Sequence, residues 1–214
     1  MQLVSLPLLV IALSIGSLLR NESPPPASAD ELAAAVMKAS GADAWPKVTR
    51  VKFTFDFGKG ARSHDWDVKN HTDTVTSNGK TMTAKLNGSH DNPDAKNAFG
   101  AWTNDTYWLM APLKVMDPGV HRTLKPDETI DGKTYHVLHL SFDHVGMTPT
   151  DQYNLFVDPE TNLVRHWDYI PAKGQQRRFT WDEYKDFNGL KLSTEHKING
   201  NPAIKLTDIV VTTE

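Results

Sequence analysis

The chain has 214 residues, a formal net charge of −3, a sequence pI near 6.3, 39% hydrophobic residues and no cysteine. This balance lacks the basic footprint of a nucleic-acid-binding protein. Without Cys there is no disulfide, thiolate metal site, thiol nucleophile or lipid-bearing N-terminal cysteine.

In chain order, residues 3–19 form an uncharged, mostly apolar run. It is shorter than the roughly 20 residues of a spanning helix. Pro24, Pro25 and Pro26 follow, then Ala27-Ser28-Ala29, which resembles a small-residue cleavage site. The expectation is a signal peptide over 1–29, cut after Ala29, and one exported domain over 30–214. An exported domain without disulfides must rely on its core.

Residues 30–40 read as a helix. Ser28 and Glu31 have capping-box spacing, Leu32, Ala35, Val36 and Ala39 make one narrow apolar face, and Gly41 is placed to stop it. From Val48 the period changes to two. Val51, Phe53, Phe55 and Phe57 share a face, as do His64, Trp66 and Val68. Residues 72–77 and 80–86 form a hairpin about Asn78-Gly79. Residues 89–100 read as a loop with one helical turn at 93–99.

The segment 102–120 is the most aromatic stretch. It is expected to hold a turn at Asn104-Asp105, a short buried strand over 107–111 with Trp108 and Met110 inward, and a turn at Asp117-Pro118-Gly119. Strands then resume. Residues 134–142 are apolar on both faces, which predicts cover on both. Turns at Asp131-Gly132, Asn188-Gly189 and Asn199-Gly200 separate further strands, with 177–187 as one of them. The total is roughly ten strands in meander order, with no crossover long enough for a parallel pair.

The predicted fold class is mainly β with one N-terminal helix: a long antiparallel meander curls into a barrel or half-barrel with one apolar concave face, and the helix caps its open side. The expected cavity residues are Phe53, Phe55, Trp66, Trp102, Trp108, Met110, Tyr153, Trp167 and Trp181. Rings facing each other across a curved sheet either fill it or wall a cavity. Nine His is a high count, and His144 with Asp143 and Asp151 makes a loop metal site only if the loop folds back; the expectation is no metal. His136 and His139 are three apart in a strand and face opposite sides. His144 with Asp143 or Asp151 is the alternative, a hydrolase site in a loop. A ligand-free envelope scaffold with a filled aromatic core is the third reading. No HExxH, GxSxG or P-loop pattern occurs.

Several segments together resemble the outer-membrane lipoprotein-sorting group, the periplasmic lipoprotein carriers (a LolA/LolB-like fold). They are Trp45-Pro46-Lys47-Val48, the strand ending in Phe53 to Phe57, His64-Asp65-Trp66-Asp67, the run NDTYWLMAPLK at 104–114, Asp117-Pro118-Gly119 and Asp158-Pro159-Glu160-Thr161. The resemblance implies an unclosed antiparallel half-barrel with a helical lid over a hydrophobic cavity, which binds the acyl chain of a lipid or lipoprotein or another apolar cargo. It implies no catalysis, and the expectation for the chain is a periplasmic monomer without a cofactor that meets envelope protein partners. It also implies an arginine that closes the lid, for which Arg62 is the candidate.

Overall fold

A computed structural model describes residues 26–143 and 146–214. The leader predicted over 1–29 therefore lies mostly outside the described residues, as does His144. No helix among the described residues is long and apolar enough to cross a membrane.

The first helix, α1 (Ala29–Ala39), starts where the capping pattern placed it. Ser28 is its N-cap and accepts a hydrogen bond from the Glu31 amide at 3.1 Å, while Glu31 reaches back to the Ala27 amide. Its buried face is Leu32, Ala33 and Val36, with Ala33 in the place expected for Ala35. Gly41, at a φ of +88°, ends it and leads into a 3-10 turn over Ala42–Lys47.

Four strands follow: β1 (Val48–Asp56), β2 (Ala61–Asp67), β3 (Thr72–Ser77) and β4 (Lys80–Lys85). The long helix α2 (Pro93–Met110) and a 3-10 turn over Ala111–Leu113 then lead to β5 (Val120–Ile130). The rest is a meander: β6 (Lys133–Phe142), β7 (Gln152–Val157), β8 (Val164–Ile170), β9 (Arg177–Thr180), β10 (Asp182–Phe187), β11 (Leu190–Ile198) and β12 (Asn201–Thr213). At each of Asn78-Gly79, Asp131-Gly132, Asn188-Gly189 and Asn199-Gly200 both residues have positive φ. That is the two-residue hairpin geometry whose twist matches the flanking strands.

All pairings are antiparallel. One sheet has the order β10-β11-β12-β1-β2-β3-β4 and the other β5-β6-β7-β8-β9. The C-terminal strand β12 thus lies beside β1, with Val211 opposite Val51 and Leu206 opposite Phe55. The chain passes from one sheet to the other at Trp181, between β9 and β10. The barrel is unclosed between β4 and β5, and α2 is in the connection between those two edges. This is the predicted half-barrel with a helical lid.

Three expectations are corrected. Among the described residues there are twelve strands rather than roughly ten, and 177–187 is two of them, β9 and β10, which break at Trp181. There is a second helix, longer than the first. Residues 89–111 are not a loop, a turn and a strand: α2 runs from Pro93 through the supposed Asn104-Asp105 turn to Met110. Asn92 caps it, accepting from the Ala95 amide at 2.7 Å, and Pro93 fits the first helical position, where its missing N–H costs nothing.

The interior holds two large apolar clusters. One gathers α1 residues Leu32, Ala33 and Val36 with Leu138, Leu140, Leu155, Trp167 and Trp181. The other gathers Val51, Phe53, Phe55 and Trp66 with Leu109, Met110 and Leu192. Trp108 touches both. On the outer face of the five-stranded sheet, Tyr135, Val137 and Phe156 form a small separate cluster. Strand β6 buries residues on both faces, Tyr135 and Val137 outward and Leu138 and Leu140 inward, but among the described residues only its inner face is covered by another element, α1.

Candidate functional site

Beneath the two helices is a cavity of about 210 Å³. Its walls come from α1 (Met37), the first 3-10 turn (Ala42, Trp45), β2 (Trp66) and α2 (Trp102, Thr106, Met110). Leu113, Lys114 and Asp117 stand at one end. Trp66 is the centre of its aromatic wall. Its ring lies 5.5 Å from Trp45 and 5.3 Å from Trp102, edge-on to the latter. Such tilted and edge-to-face contacts hold large rings without closing the space between them. The indole N–H of Trp102 is buried and has no hydrogen-bond partner among the described residues. Lys114 and Asp117 pair with each other at the polar end.

A wider groove of about 600 Å³ is lined by Glu183, Lys185, Glu195, Lys205 and Asp208 as well as Phe187 and Ile209. Its charged lining would have to be desolvated by an apolar guest. The smaller cavity is the better candidate for such a ligand.

Of the nine expected cavity residues, Trp66, Trp102 and Met110 line this cavity. Phe53 and Phe55 are buried in the same cluster but lie outside its walls. Trp108, Tyr153, Trp167 and Trp181 pack among themselves elsewhere. Trp108 is 4.5 Å from Trp167, Tyr153 is 4.9 Å from Trp167, and Trp167 is 5.4 Å from Trp181. Trp108 and Met110 do not share a face. In a helix, two positions apart means about 200° of rotation.

A buried charge network adjoins the cavity. Asp105, one turn beyond Trp102 on α2, faces β2 with its side chain fully buried. Arg62 donates to both of its oxygens, through Nε and Nη2, at 2.6 Å each. His64 Nε2 approaches the same carboxylate at 2.9 Å, and His64 Nδ1 approaches Asp73 of β3 at 2.8 Å. The side chains of His64, Asp73 and Asp105 have no exposed surface. The amide of Asn104 gives Asp105 one more donor at 2.8 Å.

Both ring nitrogens of His64 face carboxylate oxygens, so the arrangement is complete only when both carry protons. Burial opposes that charge, but the hydrogen bonds to Asp105 and Asp73 overcome it and raise the imidazole above its ordinary value. Burial likewise opposes the Asp105 carboxylate, while donors from Arg62, His64 and Asn104 hold it below the usual range. Phe53 stacks flat on the imidazole at 4.6 Å, and the Arg62 guanidinium lies over Phe55 and Phe57. Arg62 joins the sheet to α2. The roles of Asp105 and Asp73 were not foreseen. Asp73 could have been flagged as an acid sharing an inward face with Val75.

Of the alternative loop site, the two acids lie among the described residues. Asp151 accepts from the Tyr169 hydroxyl at 2.8 Å and the Ala172 amide at 3.0 Å, which are structural uses. Asp143 pairs with His121. His136 and His139 do face apart, towards Asp127 and Asn154.

No protein-family model and no curated protein matches the sequence. The fold matches solved structures. A LolA superfamily protein from Nitrosomonas europaea aligns over 85% of this chain and 94% of its own, at 12% identity and a TM-score of 0.51. A DUF1329 family protein from Desulfovibrio piger aligns over 86% and 92%, at 10% identity and a TM-score of 0.45. A domain assigned to outer membrane lipoprotein sorting, from Vibrio parahaemolyticus, aligns over 86% and 94%, at 10% identity and a TM-score of 0.43. The chain has a LolA-like fold.

Proposed function

We propose that this protein is an exported, periplasmic binding protein that holds an acyl chain or similar apolar group of a lipid or lipoprotein beneath its helices. It acts as a monomer without catalysis or cofactor, and exchanges its cargo with envelope partners. The observation that carries this reading is the cavity walled by Trp45, Trp66, Trp102, Met37 and Met110. The LolA-like fold and the Arg62–Asp105 link between sheet and helix support it.

The physical basis is the removal of apolar surface from water, at about 25 cal/mol per Å². The cavity of about 210 Å³ is smaller than the roughly 300–1,000 Å³ of most small-molecule sites. It suits the end of a chain or a short apolar group. A full acyl chain requires α2 to move off β2. The unpartnered Trp102 N–H and the Lys114–Asp117 end give an amphiphile's acceptor oxygen a place to bind.

The test is titration with the uncharged fluorophore N-phenyl-1-naphthylamine, together with native mass spectrometry of protein purified from its own host. Saturable fluorescence enhancement, weakened several-fold by Trp102→Ala, and co-purified lipid are expected. A wild-type protein that ignores the probe and carries no lipid would reduce the chain to a scaffold.

A further inference from the structure

The four-residue network adjoins the cavity but lines none of it. His64 is two residues from Trp66 on the inward face of β2, and Asp105 is three from Trp102 and one from Thr106 on α2. Whatever seats Asp105 therefore seats the cavity's roof. We infer that His64 is a proton-dependent latch for α2. Doubly protonated, it ties α2 to β3 through Asp105 and Asp73; loss of one proton frees the helix to lift from the cavity. This rests on the binding role proposed above and adds its regulation.

The charges that face His64 can be enumerated by element. β3 supplies Asp73 and α2 supplies Asp105, whose remaining donors are Arg62 and Asn104. Strand β2 itself supplies Arg62, and β1 supplies no charge, only the Phe53 ring. Asp65 is on the opposite face of β2, with Arg50 and Lys52. With His64 protonated, two cations meet two anions and the buried sum is zero. Remove one proton and the neutral imidazole can donate to one carboxylate only. Arg62 and Asn104 still serve Asp105. Asp73 has no such reserve: its second oxygen already lacks a partner, and its side chain is fully buried. Deprotonation thus leaves either an unpaired buried carboxylate or a lone pair pressed against one. Separation of α2 and β3, with entry of water, relieves both.

The sign follows from the direction of the imidazole shift. A His raised in the folded state contributes stability that is complete below its unfolded pKa and is lost as pH rises through the folded value. The latch is closed at acid and opens on the alkaline side. Each unit by which the two values differ is worth about tenfold in the opening equilibrium.

The experiment is hydrogen exchange of the wild-type protein between about pH 5.5 and about pH 9, with amide rates corrected for their intrinsic pH dependence. Protection over 100–110 should fall about tenfold or more as pH rises past the ordinary imidazole value, while protection over 153–157 in β7 stays level. Asp73→Asn is the informative variant. The side-chain amide it introduces can donate to a neutral imidazole, so protection over 100–110 should stay high across the range. Flat protection in the wild type, or an unchanged transition in D73N, would overturn the latch. The readout needs no ligand, so it is separable from the binding role. A pH-dependent helix in a protein blind to N-phenyl-1-naphthylamine would keep the latch and reject the carrier. Probe binding with flat exchange would do the reverse.

Discussion

His196 of β11 lies between two backbone carbonyls: its Nε2 is 3.1 Å from the oxygen of Trp108 in α2, and its Nδ1 is 3.1 Å from that of Thr180 in β9. Both carbonyls call for a donor, and the imidazolium would satisfy both. Burial nevertheless wins over those two hydrogen bonds and pushes the group down to about 4. His196 and His64 are both buried at an α2 contact and shift in opposite directions. The difference is the partner: carbonyl dipoles for one, carboxylates for the other.

The His196 shift predicts an acid limb in stability. A base depressed in the folded state contributes stability that is complete above its unfolded value of about 6.5 and is lost as pH falls towards about 4. The span corresponds to a loss on the order of 3 kcal/mol. Urea unfolding at several pH values should show this slope in the wild type and lose it in His196→Gln. Subtracting the two curves cancels His166, which burial and Arg178 also depress. Parallel curves for wild type and variant would reject the assignment.

The two tryptophans of α2 should behave differently. Trp108 packs against Trp167, Phe179 and His196 and is not part of the wall of the cavity beneath the helices. Trp108→Ala should cost about 3–5 kcal/mol, the range for a packed aromatic, and leave probe affinity nearly unchanged in the fraction that folds. Trp102 borders space that already exists, so Trp102→Ala should cost less and alter affinity more. Equal stability losses, or an affinity change in W108A alone, would place the ligand site in the wrong cluster.

The failure to read α2 in the sequence has a physical cause. Ala98, Trp102, Leu109 and Met110 do recur at helical spacing, behind an Asn92-Pro93 start. The stripe is broken by Asp105, which a local reading places in solvent or a turn. Asp105 is buried because Arg62 and His64 wait for it on β2, 43 and 41 residues earlier. No window of neighbouring residues contains that information. Gly100, a poor helix former, and Thr103, Asn104 and Thr106, modest ones, weaken the signal further. The hairpins were legible because Asn-Gly and Asp-Gly turns carry their own geometry. The cavity was only partly legible. Alternation shows which rings point inward, but not which of them meet each other and which meet empty space.

Asp105→Ala should be among the most damaging single changes. It removes the partner of the Arg62 guanidinium, a quarter of whose side chain is exposed, and strands one nitrogen of the fully buried His64. Removing one member of a buried charge pair costs about 3–5 kcal/mol. Chemical denaturation should report a loss of that size. A change below about 1 kcal/mol, typical of an exposed pair, would show that water reaches the network.

Gly41 is where α1 meets the β10–β11 turn. It has a φ of +88°, and a Cβ there would lie 1.9 Å from the carbonyl oxygen of Gly189. The Lys191 amide donates to the Ser40 carbonyl beside it at 3.0 Å, so neither backbone is free to retreat. Gly41→Ala combines strain of about 1–3 kcal/mol from the left-handed conformation with the clash. The loss of stability should exceed that range, with the CD signal of the folded state retained. A neutral G41A would mean that α1 is not docked on the turn.

The last prediction concerns the leader and the helix it precedes. Cleavage after Ala29 would remove Ser28, whose hydroxyl caps α1, and would put an α-amino group at the helix start. The lost cap is worth about 1 kcal/mol, and the new positive charge faces the positive end of the helix dipole. Asp30 and Glu31 in the first turn offset part of that charge, and Asp30 also accepts from Arg122 at 2.6 Å. With cleavage at the Ala27-Ser28-Ala29 pattern, exported protein should begin at Asp30 by intact mass. A version prepared from Ala27 onward should be more stable by about 1 kcal/mol, and Ser28→Ala should erase that difference. A cell-derived chain that keeps Met1 and stays with the membrane would replace the signal peptide with an anchor, and would leave the Ser28 cap in place throughout the protein's life.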